Sequence, residues 1–213
     1  MPGNIGYFLN NSADKIILSS GSSEFELAIY SFIYQIPIIL TYSYVTVIKT
    51  VVGPIFFESV AKNNTVFSQN KFFRVIDVTY VIICLLLLLF GREVIDLINA
   101  KYKSGVQYLP LLLLAGYFSI LSNLYVLSIH ETGKTYIDTA IELSSGVISL
   151  VACFFLIPAH VIYGAVLATL MGFGIRCLMY MIASIWLDGK IKLRLISNST
   201  VVMILLMSEL FFQ

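Results

Sequence analysis

Charge is scarce in this chain: 12% of its 213 residues are Asp, Glu, Lys or Arg, about half the share found in a soluble domain. Hydrophobic residues make up 59% and the mean hydropathy is +0.92. Together these exclude an ordinary soluble domain, because a core of this size cannot hide so much apolar surface. No basic tract with interleaved aromatics is present, so nucleic acid is excluded as a partner. The three cysteines, Cys84, Cys153 and Cys177, lie inside apolar runs without paired spacing, and read as small packing residues rather than metal ligands or a disulfide framework. The two histidines, His130 and His160, fall at expected helix ends, where solvated or capping roles suit them. No Ser, His and Asp constellation, phosphate loop or paired-carboxylate motif appears, so the sequence anchors no enzymatic reading and implies no cofactor. Tandem repeats are absent too. The opening MPGNIGYFLNN lacks the basic stretch and cleavage site of a secretory signal, so the first apolar run is expected to stay in the mature chain.

What the chain does have is long apolar runs. Runs of about 16 to 25 residues suit helices crossing a hydrocarbon core roughly 30 Å thick. About seven are expected, near Ile5 to Ser20, Leu27 to Ile48, Val75 to Phe90, Tyr108 to Ile129, Ile137 to Ile157, Val161 to Trp186 and Leu195 to Phe212. The alternation of a membrane barrel strand is missing, and a helix satisfies its backbone within the segment. The expected fold class is therefore all-α, a polytopic transmembrane bundle. The first span is interrupted by Asn10, Asn11, Ser12, Asp14 and Lys15, which suits a partly superficial helix. With the amino end in the cytoplasm, eight cations (Lys49, Lys62, Lys71, Arg74, Lys134, Lys190, Lys192 and Arg194) fall inside, against three outside (Arg92, Lys101 and Lys103), as the positive-inside rule requires. Two connections are longer than turns: a cytoplasmic loop around Asn63 and Asn64, and GREVIDLINAKYKSG, whose pattern suits a short helix in the outer interface.

The stretch LIPAHVIYGAVLAT joins two apolar runs across Pro158, His160 and Gly164. Pro158 cannot donate a backbone hydrogen bond, so it suits a helix end, and the next helix starts by about Val161 in a tight hairpin. Beyond the turn, Gly164, Ala168 and Gly172 advance about 40° around the axis per step of four. They form a smooth strip suited to close helix packing. Arg176 extends that strip into the membrane interior, where exposure to lipid costs about 2.5 to 3.5 kcal/mol. Three environments fit it: an ion pair with Asp138 or Glu142, snorkelling to the inner headgroups, or contact with a substrate. Asp14 and Lys15 sit about 100° apart on a helix and so face different surroundings; Asp14 suits either an internal ion pair or a proton or cation role. Asp138 and Glu142 share a face and await a cation such as Lys134 or Arg176. Tyr30 and Tyr34 share a face beside Gln35 and ahead of Pro37, which can bend the helix; an interfacial belt suits Tyr30, while a tyrosine beside polar groups can stack on sugar.

The succession NSADKIILSS, ELAIYSFIYQIP, GPIFFESVAK, LFGREVIDLINAKYKSGVQYLPLLLLAGYF, ETGKT and LIPAHVIYGAVLAT resembles the carboxyl-terminal half of bacterial O-antigen and capsule repeat-unit flippases. These polysaccharide transporters belong to the multidrug, oligosaccharidyl-lipid and polysaccharide exporter superfamily with a MATE-like fold. The resemblance runs from about Ile5 to Trp186. It implies residues 1–186 as a six-helix second lobe and residues 187–213 as a cytoplasmic connection with one further helix. It implies alternating-access transport, across the bacterial cytoplasmic membrane, of oligosaccharides linked to a polyprenyl pyrophosphate, for cell-surface polysaccharide synthesis. By the same resemblance Asp14 matches the family's aspartate in the first helix of the second lobe and Lys15 the basic residue that often follows it, which makes both substrate-cavity candidates. Tyr34 and Arg176 join them on their chemistry alone, with no family motif behind Arg176. Where relatives carry asparagines, this chain has Ser145 and Ser149. A separate first lobe is then expected to supply the opposite cavity wall. Two other readings fit the same lobe: a MATE-like exporter of small cations, marked by acidic cavity groups, and a non-transporting fragment or assembly subunit.

Overall fold

The computed structural model describes residues 2–61 and 65–187. Among these, the chain is helical nearly throughout and contains no strand. Its helices are α1 (Pro2–Gly21), α2 (Glu24–Val47), α3 (Gly53–Ala61), α4 (Thr65–Asn99), α5 (Leu109–Glu131) and α6 (Thr135–Trp186). A π-helical turn, Ile48–Val52, joins α2 to α3, and a 3₁₀ segment, Ala100–Tyr108, joins α4 to α5. Two stretches, Glu24–Ser59 and Thr135–Trp186, are long and apolar enough to cross a membrane.

The expectation of about seven separate helices is not met. The described residues run in four helical segments, 2–21, 24–61, 65–131 and 135–186, the last of them reversing at Val161, because several expected connections are themselves helical turns. The 3₁₀ stretch replaces a loop, and α4 continues as helix through Gly91 to Asn99, where a separate interfacial helix was expected. Leu97 there is 90% exposed. The loop at Asn63 and Asn64 and the span Leu195 to Phe212 lie outside the described residues.

The hairpin is present, and its turn is tighter than a loop. Helix α6 bends back at Val161, whose φ of 45° and ψ of −112° leave the helical region, so its 52 residues form two legs on either side of that residue. Ser144 Oγ approaches Met179 Sδ at 3.7 Å, and Tyr180 reaches Asp138 and Glu142 on the other leg. A methyl group on Gly164 would overlap the Leu156 carbonyl, and one on Gly172 would meet Ser149 Oγ at 2.7 Å. With Ala168 fully buried, the small-residue strip therefore packs one leg on the other.

Helix α1 packs mainly on α6, burying Asn10, Ala13, Asp14 and Leu18, while Phe8 and Ile16 stay more than half exposed, in keeping with a partly superficial helix. Asn10 Nδ2 donates to Ser145 Oγ at 2.9 Å, a polar contact between α1 and the first leg of α6. Helix α5 lies centrally, packed on α6 and α2 and buried around most of its circumference. Helix α4 is peripheral. It buries Ile76, Tyr80, Val81 and Cys84, spaced as one helical face, and exposes Val78, Ile82, Leu86 and Leu89 on the other. Both faces are mainly apolar, with Asp77 the buried exception on the inner one. Cys84, Cys153 and Cys177 are buried free thiols.

Candidate functional site

Helices α1, α2, α5 and α6 enclose a cavity of about 990 Å³. Pro37 sits inside α2 and faces this cavity, next to Gly116 of α5. Tyr34, Thr169 and Arg176 are on its wall, as are Lys49 of the π-helical turn and Asn123 and His130 of α5. The rest of the wall mixes apolar side chains such as Ile38, Leu112 and Phe173 with hydroxyls such as Thr41, Thr46 and Ser119. Two polar clusters border it.

The first cluster is built around Asp14, which is 3% exposed. Tyr30 donates its hydroxyl proton to Asp14 Oδ2. Thr169 Oγ1 is 3.2 Å from that same oxygen and 2.9 Å from the Ala165 carbonyl, and the Lys15 backbone N–H donates to Asp14 Oδ1 at 2.8 Å. Tyr30 stacks on Tyr34 with centroids 5.5 Å apart, and Lys15 Nζ lies 4.4 Å above the Tyr34 ring. The divergence of Asp14 and Lys15 is thus real, yet both converge on one pair of tyrosines. Tyr30 is 1% exposed, so the interfacial-belt expectation is wrong for it. Its ring is the larger apolar body, and its hydroxyl has found a buried acceptor.

The second cluster links α5 with both legs of α6. Arg176 Nη2 lies 2.8 Å from Glu142 Oε1, so the expected ion pair is present, and Arg176 also lines the cavity. Tyr180 places its hydroxyl 2.5 Å from Asp138 Oδ1 and 3.0 Å from Glu142 Oε1. His130 Nε2 is 3.0 Å from Asp138 Oδ2, so this histidine is a partner of a carboxylate rather than simply solvated or capping. The chain of contacts runs Arg176, Glu142, Tyr180, Asp138, His130. Arg176 offsets the charge of Glu142, as a poorly solvated pair requires.

Sequence reading missed Thr169, His130 and Tyr180 as cluster members. Hydroxyls on apolar helices carry no pattern of their own, and only the hairpin register brings Tyr180 opposite Asp138. Tyr117 and Asp77, joined at 2.6 Å between α5 and α4, were also unforeseen. Among the described residues, no group of His, Cys, Asp and Glu is arranged to hold a metal ion.

No protein-family model, curated protein or solved structure matches this chain.

Proposed function

We propose that this chain is one lobe of a bacterial inner-membrane transporter that flips lipid-linked oligosaccharide repeat units during cell-surface polysaccharide synthesis. The cavity is the observation that carries the proposal. It combines the cations Lys49 and Arg176 with a Tyr34 ring, with hydroxyl and amide side chains such as Thr41, Ser119 and Asn123, and with apolar patches around Ile38, Leu112 and Phe173, which suits a ligand that is at once anionic, sugar-bearing and lipid-tailed. Membrane embedding is supported by the α6 stretch, of whose most apolar part only 28% is buried within the protein. Lipid is the natural cover for the rest. In this reading the amino terminus is cytoplasmic, the lipid tail stays in the bilayer, and a facing lobe closes the cavity during alternating access. The resemblance described above supplies the substrate class.

The test is repeat-unit export in a flippase-deficient strain supplied with this chain and an amino-terminal lobe. Surface polysaccharide should return with the intact chain and fall sharply with Arg176→Ala; no rescue by the intact pair would defeat the reading.

A second reading, export of small organic cations, is favoured by one observation: Asp138 and Glu142 also line the cavity. Ethidium efflux that survives Arg176→Ala and is lost on Glu142→Gln would select it.

A further inference from the structure

Arg176 is 3% exposed, yet its Nε and Nη1 have no hydrogen-bond acceptor among the described residues. Its guanidinium carbon lies 6.0 Å from the Phe173 ring centroid and 5.8 Å from that of Tyr180, so aromatic faces flank the charge. The other carboxylate oxygen of its partner, Glu142 Oε2, is equally unmet. Buried donors and acceptors in this state are costly, and a site that leaves both halves of an ion pair half-satisfied is incomplete. The surrounding charges disfavour a simple anion there. Lys49 and Arg176 face Asp138 and Glu142 around the same cavity, so an approaching anion meets a carboxylate as well as a cation.

Tyr180 supplies a way out. Its single hydroxyl proton can serve Asp138 Oδ1 at 2.5 Å or Glu142 Oε1 at 3.0 Å, but not both at once. Asp138 has a second partner, His130, at 3.0 Å. If Arg176 leaves Glu142, the Tyr180 hydroxyl can turn to the vacated oxygen while His130 keeps Asp138 satisfied. Each carboxylate therefore has a donor in either arrangement.

We propose that Glu142 is a resident counter-ion which a phosphate-bearing ligand displaces from Arg176, with Tyr180 capping Glu142 once it is released. This deepens the flippase reading and rests on its premise that the cavity receives phosphate oxygens. Exchanging a carboxylate for a singly charged anion gains nothing in charge, so Glu142 rejects such anions. A diphosphate carries more charge and several acceptor oxygens, enough to meet the guanidinium together with Lys49. Glu142 is thus a specificity-determining residue, and Tyr180 a positioning one.

The chain is reconstituted in phosphatidylcholine nanodiscs and titrated with inorganic pyrophosphate by calorimetry. Arg176→Lys should weaken binding by about tenfold, as expected for losing a charge-assisted hydrogen bond. Glu142→Gln should tighten it by about tenfold, because the competing charge is gone. A merely structural role for Glu142 would loosen binding instead. Glu142→Asp, which keeps the competitor, should remain near wild type. Tyr180→Phe should weaken binding, because released Glu142 then lacks its donor, and this variant tests the exchange even if Glu142→Gln does not fold. Repeating the titration in phosphatidylglycerol nanodiscs separates the two sources of phosphate oxygens. A fall in apparent affinity there marks the lipid headgroup as an occupant, unchanged affinity marks the free phosphate, and either sustains the exchange. If Arg176→Lys weakens binding but Glu142→Gln fails to tighten it, the counter-ion role falls while the cavity reading stands. If no variant shows Arg176-dependent binding, both fall.

Discussion

Tyr30 and Asp14, 16 residues apart in the chain, are joined by a buried hydrogen bond that ties α2 to α1. Thr169 reaches the same carboxylate oxygen from α6, so three helices meet on one acceptor. Tyr30→Phe removes the closest of these donors and should cost about 1 to 3 kcal/mol in thermal or denaturant unfolding. Thr169→Val, which removes a longer contact, should cost less. A double-mutant cycle of Tyr30→Phe with Asp14→Asn should show coupling, because the two residues share one interaction.

The strip on α6 makes a graded prediction. Gly164→Ala forces a methyl group into the Leu156 backbone, which cannot move aside without opening the hairpin. Gly172→Ala meets the Ser149 side chain instead. Overpacking of this kind costs about 1 to 3 kcal/mol, and Gly164→Ala should sit at the upper end. Ser149→Ala should recover part of the loss at Gly172 and none of it at Gly164, as read by unfolding midpoints.

Val161 adopts a positive φ that a β-branched residue disfavours. Val161→Gly should relieve backbone strain of about 1 to 2 kcal/mol, raising the unfolding midpoint despite the loss of a side chain. A lower midpoint would mean that the turn has another conformation.

Residues at the periphery test the solvent directly. Nitroxide labels at Leu89 and Phe155, 70% and 76% exposed, should relax strongly with oxygen and weakly with a water-soluble nickel reagent. A label on α5 at buried Leu113 should respond to neither. Strong nickel accessibility at Phe155 would remove the bilayer from the account.

Arg176→Met leaves Glu142 buried without its cation and should destabilise by about 3 to 5 kcal/mol. Arg176→Met combined with Glu142→Leu should restore most of the stability, since an apolar pair avoids desolvation altogether. Export should remain abolished in that double variant. Recovery of stability without recovery of transport would separate the cohesive role of the pair from its proposed work on substrate.

The helical class, the hairpin at LIPAHVIYG and the packing role of Gly164, Ala168 and Gly172 were legible in the sequence, because proline chemistry and a spacing of four are local properties. The partnership of Arg176 with Glu142 was legible as one of several options, since an intramembrane arginine must find company and few acids were within reach. The number of separate helices was not. Nothing in AKYKSGVQY distinguishes a loop from a 3₁₀ turn, and nothing in IKTVV announces a π-helical one. Tyr30 was misread for a different reason. A tyrosine at a span's end looks the same whether its hydroxyl meets water or a carboxylate, and only the register of α1 against α2 and α6 decides between them.

The reversal at Val161 leaves no loose peptide between the two legs of α6. An epitope tag or fluorescent reporter spliced there would have to pry apart two legs that touch almost to the last carbonyl, so labels meant to watch that face belong at other connections. Pro158, Ala159 and His160 are exposed there, so that face offers a short rigid surface in place of a pliable loop.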